Sequence, residues 1–299
     1  MTKKIKYGCA PIAWTNDDLP DLGKENTFEQ CISEMALAGY EGTEIGNKYP
    51  KDPTVLNSFL EIRNLEVASA WLSLYLTTQS YEENKKTFIK HRDYLYELGA
   101  KVIVVCEQGK SIQRDTSKSV YRDKPYFSDE EWHLLTSGLE MLGELANEKG
   151  MSIVYHHHLG TGVQTADEID RLMENTNPEK VSLLLDTGHL MLSQEDPIKV
   201  LNKYHDRIRH IHFKDIRKDV ELLTRKHNKS FIDSVREGVF TVPGDGYIDF
   251  VPILNAIQAY DYHGWIVVEA EQDPNKANPY LYARKAKGYL DEIQNKISV

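Results

Sequence analysis

Residues 181–189 read VSLLLDTGH, a run that stays apolar except at Ser182 and then delivers Asp186, a Thr-Gly step and His189. A strand with one wet face alternates apolar and polar residues. A continuous run suits a parallel strand covered on both faces. Seven further runs share this β-rich character: KIKYGCA (4–10), GYEGTEIG (39–46), LEVASAWL (65–72), AKVIVVC (100–106), MSIVYHH (151–157), IRHIHF (208–213) and WIVVEA (265–270).

The segments between them carry helix signals. Thr27-x-x-Gln30, Ser80-x-x-Glu83, Ser128-x-x-Glu131 and Thr165-x-x-Glu168 each match a capping box, and Asp196-Pro197 places proline in a first turn after a cap. Trp132, Leu135, Leu139, Leu142 and Ala146 form one apolar helical stripe, and Gly39, Gly99 and Gly150 stand where left-handed helix ends belong. Eight strands alternating with helices in 299 residues predict a (β/α)₈ TIM barrel, one domain over 1–299. Two longer insertions follow strand ends, 107–127 after the fourth and 215–240 after the seventh. They read either as solvated decoration or as a lid. Gly244-Asp245-Gly246 follows no strand and reads as a tight turn, not a phosphate loop.

Composition narrows the partners. With 40% hydrophobic residues the chain can bury a large core, and a net charge of −10 leaves no basic field for nucleic acid or an anionic membrane. Cys9, Cys31 and Cys106 are odd in number and far apart, which argues against disulfides and fits a reducing cytoplasm. No 18-residue apolar run occurs, so a soluble, unprocessed protein acting on small solutes is expected.

The chemistry gathers at the late strand ends. In YHHHLGT (155–161), His156 and His158 point one way and His157 the other, so three adjacent histidines cannot serve one site through regular strand geometry. Asp186 stands at the rim of the sixth run with His189 just beyond. The seventh run, HIHFKD, offers His210 and His212 on one face and Lys214 at its exit, and VVEAEQD puts Glu269 and Glu271 on a common face. Ionisable groups at four successive strand ends, after apolar approaches, are costly unless paired or metal-bound, and together they point to one divalent ion. Glu44 and Trp14, at the second and first strand ends, suggest a polyol acceptor and an apolar wall; the alternatives are a loop salt bridge and a core aromatic.

DTGH, HIHFKD and VVEAEQD, in this order, resemble the xylose isomerase-like barrels. Within that superfamily, APIAW (10–14), YEGTEIGNKYP (40–50), YHHHLGT, VPGDGYIDF (242–250) and VVEAEQDP resemble the inosose dehydratases of myo-inositol catabolism. The resemblance implies Asp186, His212 and Glu269 as metal ligands. It implies His156 as the fourth, standing where many relatives have Glu, and it places His158, His189 and Lys214 near the substrate. The function it implies is metal-dependent dehydration of 2-keto-myo-inositol (scyllo-inosose) to a trihydroxycyclohexane-1,2-dione, with His158, His189, Lys214 and Glu271 as candidate proton carriers and Trp14 and Glu44 as substrate contacts. A keto-sugar or keto-inositol isomerase or epimerase is the runner-up, since it forms the same enediolate and reprotonates it. Mixed nitrogen and oxygen ligation suits Mn²⁺ or Co²⁺ and also admits Zn²⁺ or Fe²⁺. Homo-oligomerisation is compatible with this reading.

Overall fold

Side-chain parity separates two cores in the computed structural model, which describes residues 5–297. Leu183 and Leu185 join the large cluster between strands and helices, whereas Leu184 packs with Val104 and Val154 inside the barrel. The same alternation puts Ile211 and Phe213 outward and leaves His210 and His212 to face inward.

The barrel strands are β1 (Ile5–Cys9), β2 (Gly42–Ile45), β3 (Glu66–Leu74), β4 (Val102–Glu107), β5 (Ser152–His156), β6 (Val181–Asp186), β7 (Ile208–Phe213) and β10 (Gly264–Val268). They close in the order β1-β10-β7-β6-β5-β4-β3-β2, and every pairing is parallel. Each expected run overlaps one of these strands, with ends shifted by up to three residues: β3 and β4 run on past their expected ends to Leu74 and Glu107, and β10 starts one residue early at Gly264; Lys4 of the first run lies outside the described residues.

Helices α1 (Phe28–Leu37), α2 (Pro53–Glu61), α3 (Tyr81–Glu97), α4 (Asp129–Asn147), α5 (Ala166–Glu174), α6 (Thr187–Leu192), α7 (Pro197–Tyr204), α10 (Phe250–Ala259) and α11 (Pro279–Ile297) surround the barrel. Ser80 and Ser128 form complete capping boxes. Thr27 accepts from the Gln30 backbone, but the Gln30 amide turns to Glu34 instead of returning to the cap. The stripe of α4 is buried as expected, and Gly39, Gly99 and Gly150 have φ of +93°, +80° and +63°.

The insertion at 215–240 folds into a short antiparallel pair, β8 (Asp215–Ile216) with β9 (Phe240–Thr241), enclosing α8 (Lys218–Lys226) and α9 (Phe231–Glu237). Segment 107–127 has no helix among its residues beyond the end of β4 and leans on that subdomain, where Tyr121 Oη lies 2.7 Å from Thr224 Oγ1. Among the described residues no helix is long and apolar enough to cross a membrane.

Candidate active site

At the carboxyl end of the barrel, a cavity of about 440 Å³ opens above the inward-facing layer. Its floor holds His156, His212 and Glu269, with Asp186 directly behind. One ligating atom from each of these four lies within 4.8 Å of every other.

Local bonding decides which atoms meet. The His156 Nδ1–H donates to the His157 carbonyl at 2.6 Å, leaving Nε2 to face Asp186 Oδ2 at 3.6 Å. Asp186 caps α6 by accepting the His189 backbone N–H on Oδ1 at 2.8 Å, which frees Oδ2. Glu44 Oε1 accepts from His210 Nε2 at 2.8 Å and from His212 Nε2 at 3.1 Å. His212 therefore turns Nδ1 to the cluster, 3.6 Å from Asp186 Oδ2 and in contact with Glu269 Oε2. Asp186 Oδ2, His212 Nδ1 and Glu269 Oε2 are all buried without a hydrogen-bond partner. Two carboxylate oxygens and an imidazole nitrogen converging with at most one proton among them are expensive, and a divalent cation resolves that cost. The four residues thus fit a metal with nitrogen and oxygen ligation.

Charge supports the same fit. Glu44, Asp186, Glu269 and Glu271 share this interior with one lysine, Lys214. Burial alone would raise the Asp186 carboxyl, but Lys214, His189 and His212 hold it well below its usual range. Burial would likewise lower the His212 imidazole, yet Glu44 and Glu269 lift it well above normal. Its Nδ1 proton and a divalent cation compete for the same place. His156 is driven well below its usual value by burial, then by His212, and so stays neutral and able to ligate.

Beside the cluster runs a second group of polar side chains. His158 and Glu271 line the cavity, whereas Lys214 and His189 sit behind its wall. The His158 and His189 rings lie 3.9 Å apart, His189 Nε2 is 3.1 Å from Lys214 Nζ, and Lys214 donates to Glu271 Oε1 at 2.9 Å. The His158 Nδ1–H donates to the Leu159 carbonyl at 2.8 Å, so its Nε2 is the free nitrogen. Burial, followed by the Lys214 charge, lowers His158 to about 4. Burial pushes Glu271 up to about 7 although Lys214 opposes it. Gly188 makes room for the lysine, since a Cβ there would stand 2.5 Å from Lys214 Cγ.

The structure brings together His156, His158, Asp186, His189, His212, Lys214, Glu269 and Glu271, with Glu44 alongside. His157 turns away, and its Nε2 accepts the Asp186 backbone N–H at 3.2 Å. Trp14 does not reach the cavity. It is fully buried in the outer core, and its indole N–H donates to Glu34 at 2.6 Å, so the core-aromatic alternative describes it. The apolar wall is instead Trp71, packed edge-on against His156 and His158 at 5.4 and 5.8 Å, with Ile12. Sequence reading also missed the rim, where Asp18 accepts from Gln113 at 2.5 Å and from Arg114 at 2.9 Å. Trp71 had a usable signal, as the penultimate residue of an apolar run; the rim contacts had none.

A parallel eight-stranded barrel with this cluster at its carboxyl end defines a xylose isomerase-like TIM barrel, and the family model of that description matches residues 26–293. The inosose dehydratase of Lacticaseibacillus casei is 63% identical over 97% of this chain and 98% of its own, and that of Clostridium beijerinckii is 61% identical over 97% and 98%. The chain belongs to the inosose dehydratase family and is an enzyme, a hydro-lyase. Among solved structures, the probable 3-DHS dehydratase of petrobactin synthesis from Bacillus anthracis superposes with a TM-score of 0.72 over 96% of this chain and 98% of its own. At 16% identity that likeness concerns the fold alone.

Proposed function

We propose that this enzyme catalyses metal-dependent dehydration of 2-keto-myo-inositol to a trihydroxycyclohexane-1,2-dione in inositol catabolism. The observation that carries the reading is the convergence of His156, Asp186, His212 and Glu269 on one point of the cavity floor, the last three each with a buried atom that has no hydrogen-bond partner, beside a chain of proton-carrying groups. A divalent ion held there, Mn²⁺ or Co²⁺ by ligand type, supplies Lewis acidity toward the ketone and its neighbouring hydroxyl.

The chain's own residues move the protons. Dehydration removes the proton α to the ketone and expels the β-hydroxyl as water, leaving an enol that tautomerises to the dione. His158 and Glu271 are the two carriers that face the cavity, so they take the substrate-facing steps. Lys214 and His189 lie between them out of solvent contact, hold them in place and connect one to the other. Trp71 and Ile12 cover the ring's apolar face, and Asp17, Asp18, Asn47 and Gln113 offer hydroxyl partners. A cytoplasmic location fits the buried free thiols Cys9, Cys31 and Cys106.

The test is to mix metal-loaded enzyme with 2-keto-myo-inositol and identify the product. Loss of one water, about 18 Da, supports a lyase acting through positioned acid and base groups. A product of unchanged mass overturns the reading in favour of an isomerase or epimerase.

A further inference from the structure

Glu44 is nearly buried at the end of β2, and a buried carboxylate is costly unless its oxygens are engaged. It reaches its place through a register shift between Thr43 and Glu44: Thr43 pairs with Val67, but Glu44 pairs with Ser69. Such a bulge re-aims a side chain. Thr43 stays with the outer packing, its hydroxyl 2.8 Å from Tyr49 Oη, while Glu44 crosses the interior to β7. There a single oxygen takes both imidazole contacts, 2.8 Å to His210 and 3.1 Å to His212. An ionised carboxylate only accepts, so both rings donate from Nε2.

We propose that Glu44 is a positioning residue of the cation site, fixing His212 with its proton on Nε2 so that the Nδ1 lone pair points at the ion. The inference rests on reading the four-residue cluster as a cation site. Nδ1 is the His212 atom that meets Asp186 and Glu269, and without a fixed tautomer and ring orientation it could carry the proton or turn away. His210 is not one of the four residues clustered around Asp186; its Nε2–H gives the Glu44 carboxylate a second donor at the cavity's edge and so holds it beside His212.

The experiment compares wild type with Glu44→Ala and Glu44→Gln, measuring Mn²⁺ affinity by the electron paramagnetic resonance signal of the free ion, together with kcat and KM. Glu44→Ala should weaken Mn²⁺ by about 10–100-fold, and Glu44→Gln, whose amide oxygen still accepts the N–H bonds, should recover most of that loss. Unchanged Mn²⁺ affinity in both variants with a raised KM would overturn the proposal and make Glu44 a substrate contact. Wild-type protein labelled with ¹⁵N-histidine and loaded with Zn²⁺ gives a second readout that needs no variant. His212 protonated at Nε2 and metal-bound at Nδ1 supports the assignment, and the reverse tautomer overturns it. If wild type binds no divalent ion, the cation-site reading itself fails; if wild type and Glu44→Ala bind equally well, only the positioning role fails.

Discussion

Lys214 and Glu271 form an ion pair at 2.8 Å in which the lysine side chain is fully shielded from solvent and the glutamate nearly so. Pairs of this kind seldom add net stability, but breaking one strands a buried charge. The two halves are not equivalent. Lys214 has Glu269 at 3.6 Å and Asp186 at 3.7 Å as further partners, whereas Glu271 takes its only ion pair among the described residues from Lys214. Lys214→Met should therefore destabilise the protein by about 3–5 kcal/mol, and Glu271→Gln by clearly less. Urea unfolding of the two metal-free variants checks this, and equal losses would contradict it. Both should lower kcat by about 10²–10⁴-fold.

Metal removal is the second test. Because His156, Asp186, His212 and Glu269 converge only in the folded barrel, an ion held by them at about 100 times its Kd should stabilise the protein by about 2.7 kcal/mol. EDTA should lower the melting temperature and abolish activity, and Mn²⁺ or Co²⁺ should restore both. Asp186→Ala and Glu269→Ala should show no metal-dependent shift; a full shift in either would remove that residue from the ligand set.

Trp71 and Trp14 should behave oppositely. Trp71→Ala removes an aromatic wall from the cavity and should raise KM about tenfold or more, given the roughly 1.5–3 kcal/mol that burying a large apolar group contributes. Trp14→Phe loses the indole bond to Glu34 and part of a fully buried ring, and should cost about 1–3 kcal/mol of stability with KM unchanged. A KM effect confined to Trp14 would return the substrate wall to the first strand.

These contrasts mark how far the sequence could be read. The barrel was legible because strands covered on both faces must be apolar throughout, as in VSLLLD, and because caps such as Ser80 and Ser128 announce the helices. Parity then placed His156 and His158 together and His157 apart, because β5 runs regularly to His156. Parity is lost where the backbone leaves the strand. Trp14 follows a 3₁₀ turn over Pro11–Ala13 that carries it outward to α1. Glu44 sits on a bulge and meets a histidine 166 residues away, a pairing that no local pattern encodes.

Gly188 offers a test of the lysine's placement. An added Cβ would lie 2.5, 2.8 and 2.9 Å from the Cγ, Cβ and Cδ of Lys214, so Gly188→Ala must push that side chain away from His189 and Glu271. Overpacking of this kind costs about 1–3 kcal/mol. Activity should fall while Mn²⁺ affinity stays within a few-fold of wild type, since Asp186 and His212 are not the atoms displaced. Unchanged kcat in a folded Gly188→Ala protein would mean that Lys214 need not be held where it stands.

The last prediction separates the two halves of the elimination. Removing the α-proton and protonating the departing β-hydroxyl are distinct events, and the four carriers are divided between the cavity, where His158 and Glu271 stand, and the wall behind it, where His189 and Lys214 stand. Loss of the group that serves the leaving hydroxyl should block water loss while leaving α-proton removal intact. At least one of His158→Ala, His189→Ala or Lys214→Met should therefore still exchange substrate hydrogen with deuterated solvent while its dehydration falls by about 10²–10⁴-fold. The measurement is mass spectrometry of recovered substrate and product from the same incubation. If exchange and dehydration fall together in all three, these residues do not divide the acid and base steps. The leaving-group proton must then come from Glu271 or from water in the cavity.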